Sequence, residues 1–130
     1  MPNDASNFLF AAPVTSERPP ALRVAVAGPM AALTRTGVKV LPKGRKTRAL
    51  LAILALASPG PVRRERITAL LWSRRDADHA RASLRQCVHE LHEALESAGP
   101  FLVAERAHLA LRGDGLAIEG PERTGLHPSR

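Results

Sequence analysis

The sequence predicts an α+β domain: a small antiparallel sheet, then three helices, then a closing β-hairpin. Three observations predict it. Leu22-Arg-Val-Ala-Val-Ala27 sets Leu22, Val24 and Val26 against Arg23, Ala25 and Ala27, the period of a half-buried strand. Three stretches between Gly44 and Leu95 repeat apolar residues at helical spacing. Phe101–Ala104 and His108–Leu111 then flank a short polar turn, Glu105-Arg-Ala107. At 130 residues the chain has the length of one domain.

The elements follow in order. Residues 1–20 hold Pro2, Pro13, Pro19 and Pro20 with little periodicity and read as a flexible arm. The domain proper is expected over 21–119. After the first strand, Gly28-Pro29 breaks the chain, and Met30–Leu33 and Val38–Leu41 flank a turn at Thr34–Gly37. Pro42 and Gly44 precede the first helix, Arg45–Ala57, which is apolar almost all round after Arg48, as a central buried helix would be. Ser58-Pro-Gly-Pro61 stops it. The second helix, about Arg63–Trp72, puts Ile67, Leu70 and Leu71 on one side, and Trp72 reads as a core anchor rather than a base-stacking ring. Asp76 or Asp78, in the connector Ser73–Asp78, is placed to cap the third helix, about Asp78–Ser97. There Ala80, Leu84, Cys87, Val88, Leu91 and Leu95 share a stripe about 100° wide. Ala82, Arg85, Gln86, His89 and Glu93 face away, with Arg81 and His92 at the margin. Gly99-Pro100 ends the helix, Leu116-Ala-Ile118 suggests a last short strand, and residues 120–130 read as a disordered tail. Two helices joined by a short turn and followed by a hairpin make a winged helix, in which the last helix reads DNA and the hairpin touches the backbone beside it.

Charge narrows the partner. Residues 23–72 hold ten Lys and Arg against one acidic residue, so the chain's net +7 sits on the segment with the first two helices. Such a field attracts nucleic acid or an anionic membrane; a basic surface that is merely solvated is the plainer alternative. The single Cys87 excludes an internal disulfide and a cysteine-based metal cluster, and its place in the apolar stripe suits a small core residue. There is no secretory signal and no apolar run of membrane-spanning length, so a cytoplasmic protein without a membrane partner is expected. His89-Glu-Leu-His-Glu93 spaces its histidines three apart, where the zinc-protease motif needs four, and no third ligand is evident. Neither a Gly-rich phosphate loop nor a nucleophile elbow occurs. The sequence therefore gives no support for an enzyme, a metal, a cofactor or a small-molecule substrate.

The candidate contacts sort by chemistry. Arg85 can bond bidentately to guanine and Gln86 to adenine, and with Ala82 and His89 they form the expected base-reading set; His89 and His92 read equally well as plain surface histidines. Arg45, Lys46 and Arg48 open the first helix, and Arg63, Arg64 and Arg66 the second, where free N–H groups already favour phosphate. Arg81 and Ser83 near the start of the third helix, and Arg106 in the hairpin turn, complete the phosphate set. Some of these cations must be only solvated caps. Glu93 and Glu96 oppose phosphate, which tilts that end of the helix away from DNA.

Several of these runs carry a family likeness. Leu22-Arg-Val-Ala-Val-Ala-Gly-Pro29, Gly44-Arg-Lys-Thr-Arg-Ala-Leu-Leu51, Leu70-Leu-Trp72 and Ala80-Arg-Ala-Ser-Leu-Arg-Gln86 with His89–Leu95 resemble the OmpR-type winged-helix domain of SARP-type bacterial transcriptional activators. The likeness spans about residues 21–119. It implies a four-strand N-terminal sheet, a three-helix core and a wing. It also implies sequence-specific binding of double-stranded DNA with the third helix in the major groove, dimers on direct repeats and contact with RNA polymerase. In OmpR-type domains the connector holding Arg74 and Arg75 can meet the polymerase, so these two serve protein or phosphate. The sequence departs from the family at two places: Glu105-Arg-Ala107 replaces a Gly-rich wing turn, and the chain stops where the helical-repeat activation domain would begin. The alternative reading is therefore a truncated regulator module acting through protein contacts, or by occupying DNA without activation.

Overall fold

The computed structural model describes residues 19–120. The arm read at 1–20 falls outside them except for its last two residues, and the tail at 120–130 except for Gly120. The described chain is α+β, with three helices and two small sheets.

Strand β1 (Leu22–Ala25) pairs antiparallel with β2 (Ala31–Thr34). Leu22 and Val24 are fully buried and Arg23 is exposed, as the alternation requires. Beyond β2 the chain reverses through Thr34–Gly37. Gly37 donates its N–H to the Thr34 carbonyl at 3.0 Å and has φ 87°, a conformation that disfavours a side chain, and the Thr34 Oγ1 takes the Val38 N–H at 3.1 Å. The returning arm is thinner than its sequence suggests. It makes a single bridge, Leu33 to Lys39, and only Val40 and Pro42 bury there while Val38 stays 55% exposed. The third full strand is β6 (Leu116–Glu119), which runs parallel to β1 in the order β2-β1-β6. Parallel pairing needs a long crossover, and here the whole helical layer supplies it. Three strands and a bridge thus stand in place of the four strands that the family likeness implies.

Helix α1 (Arg45–Ala57) buries Thr47, Leu50, Leu51, Leu54 and Ala55 and packs on both other helices. Helix α2 (Arg64–Leu71) starts one residue later and ends one earlier than its periodicity suggests. Arg63 belongs to a two-residue strand, β3 (Val62–Arg63), too short to leave a period in the sequence. Helix α3 (Ala77–Leu95) has Asp76 as its cap, with Oδ1 accepting the His79 N–H at 2.9 Å. Its stripe of Ala80, Leu84, Cys87, Leu91 and Leu95 is buried, Val88 partly so.

The wing is the hairpin of β4 (Leu102–Ala104) and β5 (His108–Leu111), with β3 added on the far side of β5. Phe101, 4% exposed, anchors its base. A Cβ on Gly113 would stand 2.9 Å from the Phe101 ring at φ 145°, so that glycine lets the backbone close over the ring. Trp72 is 8% exposed and Cys87 is 7% exposed, both inside the core. Among the described residues no helix is long and apolar enough to cross a membrane.

Candidate nucleic-acid interface

Helix α3 carries two polar flanks on either side of its outward face. On the wing side, a cleft of about 630 Å³ opens between the start of α2, the first half of α3 and the tip of the wing. Arg63, Arg64, Arg81, Arg85 and Arg106 all line it, against one acid, Glu65. Each element brings its cations for a local reason. The strand-to-helix junction delivers Arg63 and Arg64. The α3 stripe turns Arg81 and Arg85 out of the core, and the three-residue turn puts Arg106 at the wing tip.

The wing tip is fastened there. The Glu105 N–H donates to the His108 carbonyl at 2.8 Å and closes the turn. Arg64 donates its backbone N–H to the Ala107 carbonyl and its Nε to the Glu105 carbonyl, both at 2.8 Å. With no glycine at the tip, these bonds to α2 fix the turn. A second groove continues past Arg85, lined by Arg64, Val88, His89, His92, Leu102 and Ala104.

The phosphate candidates divide by how far they are already engaged. The side chains of Arg45, Arg66, Arg74, Arg75, Arg85 and Arg106 make no hydrogen bond or ion pair among the described residues. Arg63 pairs with Glu65 at 2.9 Å, and Arg81 pairs with Asp78, all largely exposed. Lys46 sits inside a joint: its Nζ donates to the Leu71 carbonyl at 2.5 Å and lies 5.7 Å from the centre of the Trp72 ring. A cation there suits both the negative end of α2 and the ring face. Arg48 donates its Nε to the Pro42 carbonyl at 2.6 Å. Ser83 is half-buried.

Of the base-reading candidates, Ala82, Arg85, Gln86 and His89 are all exposed on α3. Arg85 borders both grooves. His89 lines the second groove and its Nε2 lies 3.3 Å from Glu93 Oε2, so Glu93 has a local partner. Gln86 lies towards the other flank, where its Nε2 donates to Glu90 Oε2 at 3.3 Å. Glu90 Oε1 in turn accepts from Thr47 Oγ1 at 2.6 Å. The Thr47 hydroxyl first, then the Gln86 amide, hold the Glu90 carboxyl below the usual glutamate range. Burial pushes the neighbouring Cys87 thiol up.

Neither Thr47 nor Glu90 stands out as a site residue from spacing alone. The signal for Thr47 is nevertheless present. Thr47, Leu50, Leu51 and Leu54 share one helical stripe, and a hydroxyl at its end, 1% exposed, needs a partner. Among the described residues no group of three or more His, Cys, Asp or Glu is arranged to hold a metal ion.

The chain is similar to Mycobacterium tuberculosis EmbR, solved in complex with a low-affinity phosphopeptide, with a TM-score of 0.64 and 26% sequence identity over 75% of this chain. EmbR is a SARP-family regulator with a winged-helix DNA-binding domain, so the likeness agrees with the fold and with the family that the motifs resemble. The match spans 27% of the EmbR chain. No family model and no curated protein matches the sequence.

Proposed function

We propose that this domain binds double-stranded DNA as part of a transcription regulator, with α3 in the major groove and the arginine cleft gripping the adjoining backbone. One observation carries the reading: arginines from α2, α3 and the wing converge on a single cleft beside the exposed face of α3. A duplex backbone is a line of negative charge that such a cleft fits, and guanidinium groups hold phosphate oxygens in pairs. Arg85, Gln86, His89 and Ala82 face the bases in this reading. Arg63, Arg64, Arg81 and Arg106 take phosphates, with Arg45 extending the track beyond α1. The resemblance to EmbR supports a regulatory DNA-binding role in general.

A second surface favours a protein contact in the same role. Leu70 is 55% exposed on α2, and the exposed Arg74 and Arg75 follow it in the connector. A large exposed apolar side chain followed by unpaired cations suits a protein partner, RNA polymerase in this reading, better than it suits phosphate. Dimers on direct repeats belong to the same proposal.

The test is a mobility shift of the full chain on random-sequence duplex across a range of salt. With roughly 4–7 phosphates neutralised, log K against log salt should slope at about −4 to −6. A flat response would remove DNA from the reading and leave the protein contact.

A further inference from the structure

We infer that Glu90 is a positioning residue: braced by Thr47, it holds the Gln86 carboxamide in one orientation for reading a base. The inference rests on the DNA-binding reading above and names the device that makes one of its contacts selective.

The geometry is a chain of two bonds. Thr47 is 1% exposed, and its hydroxyl donates to Glu90 Oε1 at 2.6 Å. That bond crosses from the first turn of α1 to α3 and fixes a side chain that would otherwise sweep freely over the surface. The second carboxylate oxygen then accepts from Gln86 Nε2 at 3.3 Å, one helical turn back. Gly44 closes the other side. A Cβ there would lie 3.3 Å from Thr47 Oγ1 and 3.4 Å from Glu90 Oε1, so glycine leaves room for the pair to sit close.

The consequence concerns which end of the amide faces outward. An ionised carboxylate only accepts hydrogen bonds. The Gln86 amide must therefore turn its NH2 towards Glu90, leaving Oε1 and the second N–H to face away. That donor–acceptor pair is what bidentate recognition of adenine requires. A free glutamine rotates its amide and loses rotamer freedom on binding; a braced one has lost it already. The arrangement also has a cost, because Glu90 places a negative charge near DNA. The two effects have opposite signs, which makes the role separable from a merely structural one.

The experiment selects bound sequences from a random double-stranded DNA pool with the full chain, for wild type, Gln86→Ala, Glu90→Ala and Thr47→Val. Random-duplex affinity and melting temperature are measured on the same proteins. Gln86→Ala should lower the preference for adenine at one base pair by roughly tenfold. Glu90→Ala and Thr47→Val should lower it several-fold at that same base pair. Glu90→Ala should at the same time bind random duplex slightly more tightly. The inference is overturned if Glu90→Ala keeps the full preference. It is equally overturned if Glu90→Ala weakens selected and random DNA alike with a lowered melting temperature. A wild-type chain that selects no sequence, yet binds duplex, would remove base reading itself, and this inference with it.

Discussion

The two flanks of α3 use similar polar residues in opposite ways. On the flank facing the wing, Arg85 and Arg106 have no partner among the described residues, and Arg63 and Arg81 hold only exposed acids. On the flank facing α1, the polar groups are bonded to one another: Thr47 to Glu90, Glu90 to Gln86, and Lys46 to the end of α2. One flank leaves its donors open and collects charge. The other uses its donors to fix the angle between helices and the pose of one amide. A count of cations along the sequence would rate Lys46 as highly as the arginines of the cleft. The structure separates them, because a lysine committed to a carbonyl and an indole face has less to offer a phosphate than an uncommitted arginine.

Both flanks depend on the stripe beneath them, and breaking the stripe gives the largest expected effect. Leu91 is fully buried between them. Leu91→Asp would bury an unpaired charge at a cost of several kcal/mol, comparable with the whole stability of a small domain. Loss of the cooperative melting transition is expected, followed by circular dichroism. A variant that still melts cooperatively would show that α3 can rotate and that the division into two flanks is not fixed.

A smaller effect sharpens the comparison directly. Arg85→Ala, on the open flank, should cost about 1–3 kcal/mol in binding to selected DNA and leave the melting temperature unchanged. Lys46→Ala, on the bonded side, should do the reverse. Losing the helix-end and ring contacts should destabilise the fold by about 1 kcal/mol with little change in binding. Titration by fluorescence anisotropy and thermal melts on both variants decide it. If Lys46→Ala weakens DNA binding as much as Arg85→Ala at unchanged stability, Lys46 belongs to the interface after all.

Much of this was legible from period and punctuation. The α3 stripe is plain because every residue from Ala80 to Leu95 obeys one helical period, and a hairpin between Gly99-Pro100 and Arg112 leaves few alternatives. Residues bonded across sequence distance were not legible. Strand β3 is two residues long and exists because β5 is there to receive it. The parallel partner of β1 lies nearly a hundred residues away, as Arg23 and Glu119 show with their 3.4 Å ion pair at |i−j| of 96. The cleft shares this character. Its arginines come from three elements, and only the packed fold shows that Arg64 and Arg106 neighbour Arg85 while Lys46 does not. Thr47 and Glu90 escape for the same reason, since their bond spans 43 positions.

The smallest effect concerns the start of α3, where the open flank begins. Asp76 caps the helix through the His79 N–H, and its second oxygen lies 2.9 Å from His79 Nδ1. The backbone N–H of His79 first, then its ring, lower the Asp76 pKa below the ordinary value of 3.8. The sign follows from that direction. A carboxyl whose folded pKa is depressed contributes stability above its unfolded pKa and loses it as pH falls through the folded one. Asp76→Ala should therefore lower the melting temperature by a few degrees near neutral pH. That gap between the two proteins should hold steady down to about pH 4 and shrink below it, as the wild-type carboxyl takes up its proton. Asp76→Asn keeps an acceptor for the cap without the charge, and should recover most of the neutral-pH loss while showing the weaker acid dependence. The Thr47–Glu90 bond also weakens in acid, but it is present in all three proteins and cancels in the difference. A gap that stays constant into the acid range would mean that the carboxylate is not what holds the first turn of α3, and the cleft lined by Ala77 and Arg81 would then owe its shape to the stripe alone.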